Sequence, residues 1–201
     1  MAGGGATTDE LLFRGDAPSP SGFSRDGQRL LFTRGRGPEM RIWILPLTGD
    51  RKAVEAFPGT NVPRTHAAFS PDDKWIAYSQ GERSTESDVY IEPYPPTGHR
   101  EKVSSTGGQD PRWAADGRQL VYRAKDLTIM SVDLAEISGK LRPSTPAPLF
   151  PKAGVAVNFS ADKRAERFLL LQRPGMAPSM AVDATPQPVT VVMNFVQSIK
   201  R

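Results

Sequence analysis

Residues 69–78 read FSPDDKWIAY, and this stretch decides the fold. Phe69 closes one strand, Ser-Pro-Asp-Asp turns the chain, and apolar residues then alternate at Ile76 and Tyr78. A polar tight turn followed by period-two alternation is the signature of a β-hairpin. The same segment recurs as FSRDGQRLLF from Phe23, WAADGRQLVY from Trp113 and FSADKRAERFLLL from Phe159. The leading aromatics lie 46, 44 and 46 residues apart, the period of one propeller blade. A second element follows each of the first three: MRIWILPLTGD, SDVYIEPYPPTGH and LTIMSVDLAEISGK, each an apolar strand and then Thr/Ser-Gly.

In every copy an Asp sits three residues after the aromatic: Asp26, Asp72, Asp116 and Asp162. Asp at this place hydrogen-bonds its own backbone ahead, and a following Gly accepts positive φ. These carboxylates are therefore assigned to turns, not to catalysis. Asp73 and Lys163 stand where the other copies carry the turn Gly, and the last copy has two extra residues in this turn.

The expected fold is all-β, a β-propeller of about four four-stranded antiparallel blades, with strands A to D running outwards from the axis. Blade one has A near 20–24, B 28–34, C 40–47 and D 51–57. Blade two has 65–70, 74–80, 87–94 and 100–105. Blade three has 109–114, 118–124, 127–134 and 146–150. Blade four has 154–160, 167–172 and 189–195, with no outer strand. A spare strand at 10–13 either completes blade four and closes a small ring, or belongs to a preceding blade of a larger one. The arc of a larger ring is preferred, because four blades is the lower limit for closure. An arc exposes apolar blade faces, so self-association through open edges is expected. Residues 1–8 read as a flexible start, 9–195 as blades with repeats starting near 20, 65, 109 and 154, and 196–201 as a tail.

Composition narrows the function. The 18 Gly and 19 Pro are spread through the chain, as short strands and turns require. With no Cys there is no disulfide, thiol nucleophile or thiolate zinc site. The net charge is +4, but basic and acidic residues alternate, so no nucleic-acid face is expected. No apolar run is long enough to span a membrane. The opening MAGGGATTDELLF lacks the pattern of a secretory signal.

FSPDDKWIAY with SDVYIEPYPPTG, and DPRWAADGRQLVY, resemble the WD40-like repeat of TolB-type β-propellers. The ending RFLLLQRPG and PVTVVMNFVQSIKR resembles that of the propeller which follows the kinase domain and membrane span in bacterial serine/threonine receptor kinases. This resemblance covers about residues 9–201. It implies a propeller lying outside the cytoplasmic membrane and a short C-terminal helix over 194–201.

Motifs for chemistry are sparse. The Gly-rich loop, catalytic Asp and metal-binding Asp of kinases are missing, as are a Walker loop and a G-x-S-x-G elbow. His66 and His99 lack zinc-ligand spacing, and no calcium loop is present. Neither catalytic residue, metal nor cofactor is assigned. Trp43, Trp75 and Trp113 are expected to pack between blades. The D–A and B–C connections of a propeller share one axial face. The residues placed there are Arg64, Thr65, His66, Gln109, Asp110 and Arg112, with the charged loop 81–87 beside them. The expected function is a non-catalytic binding or scaffold module for a protein or peptide partner. The alternatives are a lyase or hydrolase with an axial site, which needs a converging acid–base pair, and an incomplete propeller without independent function.

Overall fold

The computed structural model describes residues 12, 15–83 and 86–149, with the backbone of strands at 155–161, 168–173 and 189–192. Strands β1 (Ser19–Phe23), β2 (Arg29–Arg34), β3 (Arg41–Pro46) and β4 (Val54–Glu55) form one antiparallel sheet in sequence order. A second consists of β5 (Arg64–Phe69), β6 (Trp75–Gln80), β7 (Asp88–Pro93) and β8 (Glu101–Lys102). The third contains β9 (Gln109–Trp113), β10 (Gln119–Arg123), β11 (Ile129–Ile137), β12 (Lys140–Pro143) and β13 (Ala147–Pro148). Strands β14 (Val155–Ala161), β15 (Phe168–Arg173) and β16 (Val189–Val192) make a three-stranded sheet. The fold is a β-propeller built of antiparallel blades. Of the expected strand at 10–13 only Leu12 is described, and the Asp162 turn and the C-terminal helix lie outside the described residues.

Three details differ from the sequence reading. The outermost strands are two residues long, shorter than expected, which leaves little unpaired edge. In blade three the C strand runs on to Ile137 and folds back as β12, where a loop was expected. Ser138 and Gly139 carry φ of 51° and 72°, and two positive-φ residues are what a two-residue hairpin turn needs. Leu134 and Leu141 of this hairpin are buried against blade two, which is why the extension stays folded down.

The third difference concerns the B strands, which the alternation marks as half-buried. In β6 every residue from Trp75 to Ser79 is buried. Ile76 and Tyr78 face blade one, in a core with Leu31, Ile42, Ile44, Phe57 and Phe69. Trp75 and Ala77 face blade three, in a core with Val89, Ile91, Leu120, Tyr122 and Val132. A blade sandwiched between two others has no solvent face, so small or apolar residues occupy both registers. Each fully buried Leu, Ile or Val contributes roughly 1.5–3 kcal/mol. Trp113 packs against the blade two core and donates from Nε1 to the Ala68 carbonyl at 3.1 Å. Phe69 packs inward likewise, whereas Phe23 is 60% exposed.

The turn aspartates do what their spacing dictates. Asp26 accepts from Ser24 Oγ and the Gln28 amide, Asp72 from Ser70 Oγ and the Lys74 amide, and Asp116 from the Arg118 amide. The Ser24 hydroxyl and then the Gln28 amide hold the Asp26 carboxyl below its usual range. Asp73 adopts the left-handed φ of 59° that Gly27 and Gly117 take in the sister turns. Its carboxylate compensates by accepting the Arg25 amide of blade one at 2.9 and 3.1 Å.

Arg64, expected on the axial face, instead lies between blades one and two. Its guanidinium sits 5.0 Å from the Phe57 ring centroid and 4.8 Å from that of Tyr78. It donates to Gln80 Oε1 at 3.0 Å and lies 3.7 Å from Glu92 Oε2, which also accepts from Tyr78 Oη at 3.0 Å. Arg64 and Glu92 side chains are 9% and 7% exposed, so each neutralises a charge that water does not reach. Removing one partner of such a pair costs about 3–5 kcal/mol, and removing both costs far less. Denaturant unfolding of Arg64→Ala should therefore show a loss of about that size. Arg64→Met combined with Glu92→Gln should lose much less, and an equal loss would show that packing rather than charge governs the site.

Candidate functional site

The four inner strands share an irregularity that shapes the axial mouth. Each pairs with its B strand through a bulge near its N-terminal end: between Pro20 and Gly22, Thr65 and Ala68, Gln109 and Arg112, and Ala156 and Asn158. His66 and Asp110 occupy the same repeat position, three residues before Phe69 and Trp113. They carry φ of 53° and 56°, a region that non-glycine residues seldom enter. Bulges re-aim side chains and concentrate next to binding sites. Here the bulge directs Thr65, His66, Gln109 and Arg112 into one cleft of about 270 Å³.

The strained positions are fixed by polar contacts across the blade boundary. Asp110 Oδ1 lies 3.2 Å from His66 Nε2, and Oδ2 accepts from Arg123 Nη2 at 2.6 Å. The Asp110 amide donates to Ser79 Oγ at 3.1 Å, and Thr65 Oγ1 is 2.9 Å from His66 Nδ1. Asp110 is buried, with only its carboxylate edge reaching His66. It is thus a joint between blades two and three and supports the cleft from behind. Arg112 donates to the Pro111 carbonyl at 3.0 Å. It lines both the mouth and the cleft on the turn side beside Phe23 and Trp113.

Of the six residues placed on this face from sequence, four line the cleft, Asp110 backs it, and Arg64 lies between blades. The cleft also includes residues the sequence reading did not select: Ser19, Ser21, Thr33 and Met40 from blade one. A signal for Ser19 existed. Four residues before Phe23, it matches Thr65 and Gln109, which stand four before Phe69 and Trp113. Arg83 and Ser87, from the loop that did attract notice as charged, complete the wall. Gly81 starts that loop, and a Cβ there would lie 2.6 Å from Ser87 Cα and 2.7 Å from the Glu86 carbonyl oxygen. Any side chain at 81 would force the backbone of that loop to shift.

His99 is exposed in the blade two C–D turn, away from this cleft. Among the described residues no cluster of three or more His, Cys, Asp or Glu is disposed to hold a metal, and no helix is long and apolar enough to cross a membrane.

No protein family model and no curated protein matches the sequence. Solved structures do resemble the fold. TolB from Acinetobacter baumannii superposes with a TM-score of 0.58 at 19% identity, covering 84% of this chain and 41% of that one. An oligogalacturonate lyase in complex with manganese gives 0.58 at 14% identity, over 89% and 51% of the two chains. A putative 6-phosphogluconolactonase from Bacteroides uniformis gives 0.53 at 21% identity, over 80% and 52%. The chain thus spans about half the length of these propellers or less. At such identities they share its fold, and they include both TolB proteins and enzymes.

The environment of His66 makes a direct prediction. Burial, the largest cause, lowers its pKa below 6.5; Asp110 opposes this, while Arg112 and Arg123 add to it. The folded state then binds fewer protons at this site than the unfolded state as pH falls towards and below 6.5, so acidification in that window destabilises the fold. An NMR titration of the His66 ring should give a midpoint below 6.5. Asp110→Asn should lower it further, and a midpoint that rises in this variant would exclude the contact.

Proposed function

We propose that this chain is a non-catalytic binding module that holds a protein or peptide partner at its axial mouth. The observation that carries this reading is the convergence of Thr65, His66, Gln109 and Arg112, from two blades, with Ser19, Ser21 and Thr33 of a third, on one open cleft. A rigid sheet scaffold offering polar groups from several blades suits recognition of an irregular partner. The ending, RFLLLQRPG and PVTVVMNFVQSIKR, supports a sensor of the kind attached to bacterial serine/threonine receptor kinases, lying outside the cytoplasmic membrane. Coding sequence upstream for a membrane span and kinase motifs would support that placement.

A second reading, an axial lyase or hydrolase, draws on the His66–Asp110 contact of 3.2 Å, a carboxylate-oriented imidazole at a cleft. Against it, Asp110 also bonds Arg123 and joins two blades. Turnover of a uronate, lactone or peptide substrate that disappears in His66→Ala would favour this reading.

The binding reading is tested by selecting displayed random peptides on the immobilised chain. Selected peptides should bind at least ten-fold more weakly to Arg112→Glu, while Arg118→Glu, on the turn side of blade three, should leave affinity within two-fold. Equal binding to Arg112→Glu would remove the axial mouth as the binding face.

A further inference from the structure

Trp75 departs from the repeat. It opens strand β6 at the position that Arg29 holds in β2 and Gln119 in β10, both of them polar. Its side chain is 8% exposed and packs in the core shared by blades two and three. The indole carries one hydrogen-bond donor, which a buried tryptophan ordinarily places on an acceptor. Trp113 does so, from Nε1 to the Ala68 carbonyl. Trp75 does not: its backbone amide bonds Ser70 Oγ, and its Nε1 meets no acceptor among the described residues. Nor is that nitrogen sealed from solvent. The space open to it is that of the two clefts Trp75 lines, of about 500 and 470 Å³.

Both clefts have Trp75, Glu136 and Leu141 in their walls, and so they run together as one groove between blade two and the β11–β12 hairpin. Towards the outer edge, Ile91, Pro93, Tyr94 and Leu141 give this groove an apolar lining. Tyr94 is half-buried and meets Phe69 edge-on, with 5.4 Å between ring centroids. Its hydroxyl, too, has no hydrogen-bond partner among the described residues. Charges along the groove are engaged elsewhere. Lys74 lies 3.6 Å from Asp72, Arg142 donates to Glu101 at 3.0 Å, and Arg100 donates to Gln80 at 2.7 Å and lies over the Tyr90 ring. Recognition in this groove is therefore by shape and neutral hydrogen bonds. A complementary ligand has an apolar body, carbonyl acceptors for the fixed donors, and no N–H to strand against apolar walls. A proline-rich chain meets all three conditions, because proline lacks the N–H and the polyproline II helix leaves its carbonyls without internal bonds. Aromatic-lined grooves dock such segments in several recognition modules.

We infer that the groove between blade two and the β11–β12 hairpin docks a proline-rich segment of a protein partner in the polyproline II conformation. Trp75 Nε1 donates to one of its carbonyls, and Tyr94 forms the wall beside it. The site is separate from the axial mouth and does not depend on that reading. The hairpin, which the repeat does not call for, supplies its second wall through Leu141.

The test titrates acetyl-hexaproline amide into the full chain and follows the assigned indole N–H resonance of Trp75 by NMR. A six-residue alanyl-glycyl repeat, acetylated and amidated and bearing N–H groups, is the comparison peptide. Hexaproline should shift the Trp75 resonance saturably, and the comparison peptide should leave it in place. Trp75→Phe keeps an apolar ring and removes the donor, so it should weaken hexaproline binding about three- to ten-fold, the effect of one neutral hydrogen bond. Tyr94→Ala, at a half-buried wall position, should weaken it at least three-fold. Thermal unfolding of both variants separates lost contacts from lost fold. If Trp75→Phe fails to fold, the shift in the native chain and the Tyr94→Ala variant carry the test. An unmoved Trp75 resonance, equal binding of the comparison peptide, or native affinity in the folded variants overturns the inference. Arg112→Glu should leave hexaproline binding within two-fold. A ten-fold loss in that variant would place the peptide at the axial mouth and overturn this site, so the two readings fail separately.

Discussion

A blade that lies between two others has two apolar faces and must have both covered. Blade two shows the constraint in full: Ile76 and Tyr78 face one neighbour while Trp75 and Ala77 face the other, and all four are buried. No single sheet can satisfy such a strand, because the second face would stay in water. Stability is therefore a property of neighbouring blades, as in other repeat architectures. The backbone adds a stitch at each of two boundaries among the described residues. The Arg64 amide donates to the Met40 carbonyl at 3.1 Å, and at the equivalent point one repeat later the Gly108 amide donates to Ser87 at 2.8 Å. Gly108 must be Gly: a Cβ there would lie 2.5 Å from the buried Tyr122 ring.

The site follows from the same requirement. The stitches bring the start of each inner strand against the start of the preceding C strand, and the bulge just beyond turns the next residues towards the axis. Thr65 and Gln109, at one repeat position, both reach the cleft. His66 and Asp110, at the next, meet across the blade boundary and hold their left-handed backbone in place. A residue only two positions before His66 has another fate. Arg64 precedes the bulge and turns inward, where Phe57, Tyr78 and Glu92 enclose it. One arginine is thus buried between two blades, while another, Arg112, lines the cleft.

The hairpin of β11 and β12 is the feature least related to the repeat. It interrupts blade three and lies against the outer edge of blade two, where Arg142 Nη1 reaches Glu101 Oε1 at 3.0 Å. Its core contacts, Leu134 and Leu141, extend the shared core of blades two and three outwards. The boundary between these blades is the one at which His66, Asp110 and Arg123 meet.

The blade, its period and its turns were all legible in the chain before any packing was known. An aromatic, an Asp three residues on and an alternating strand are local signals, readable because a turn needs its own chemistry wherever it occurs. The sequence also marked the axial loops, since topology places D–A connections on one face, and so Thr65, His66, Gln109 and Arg112 were legible. Only the packing of the blades decided which arginine is buried between them and which lines the cleft. Arg64 and Arg112 look alike in sequence, and their difference arises from a bulge and from rings and a carboxylate contributed by other strands. The pairing of His66 with Asp110 was equally hidden, because its partners lie 44 residues apart and meet only when two blades pack together.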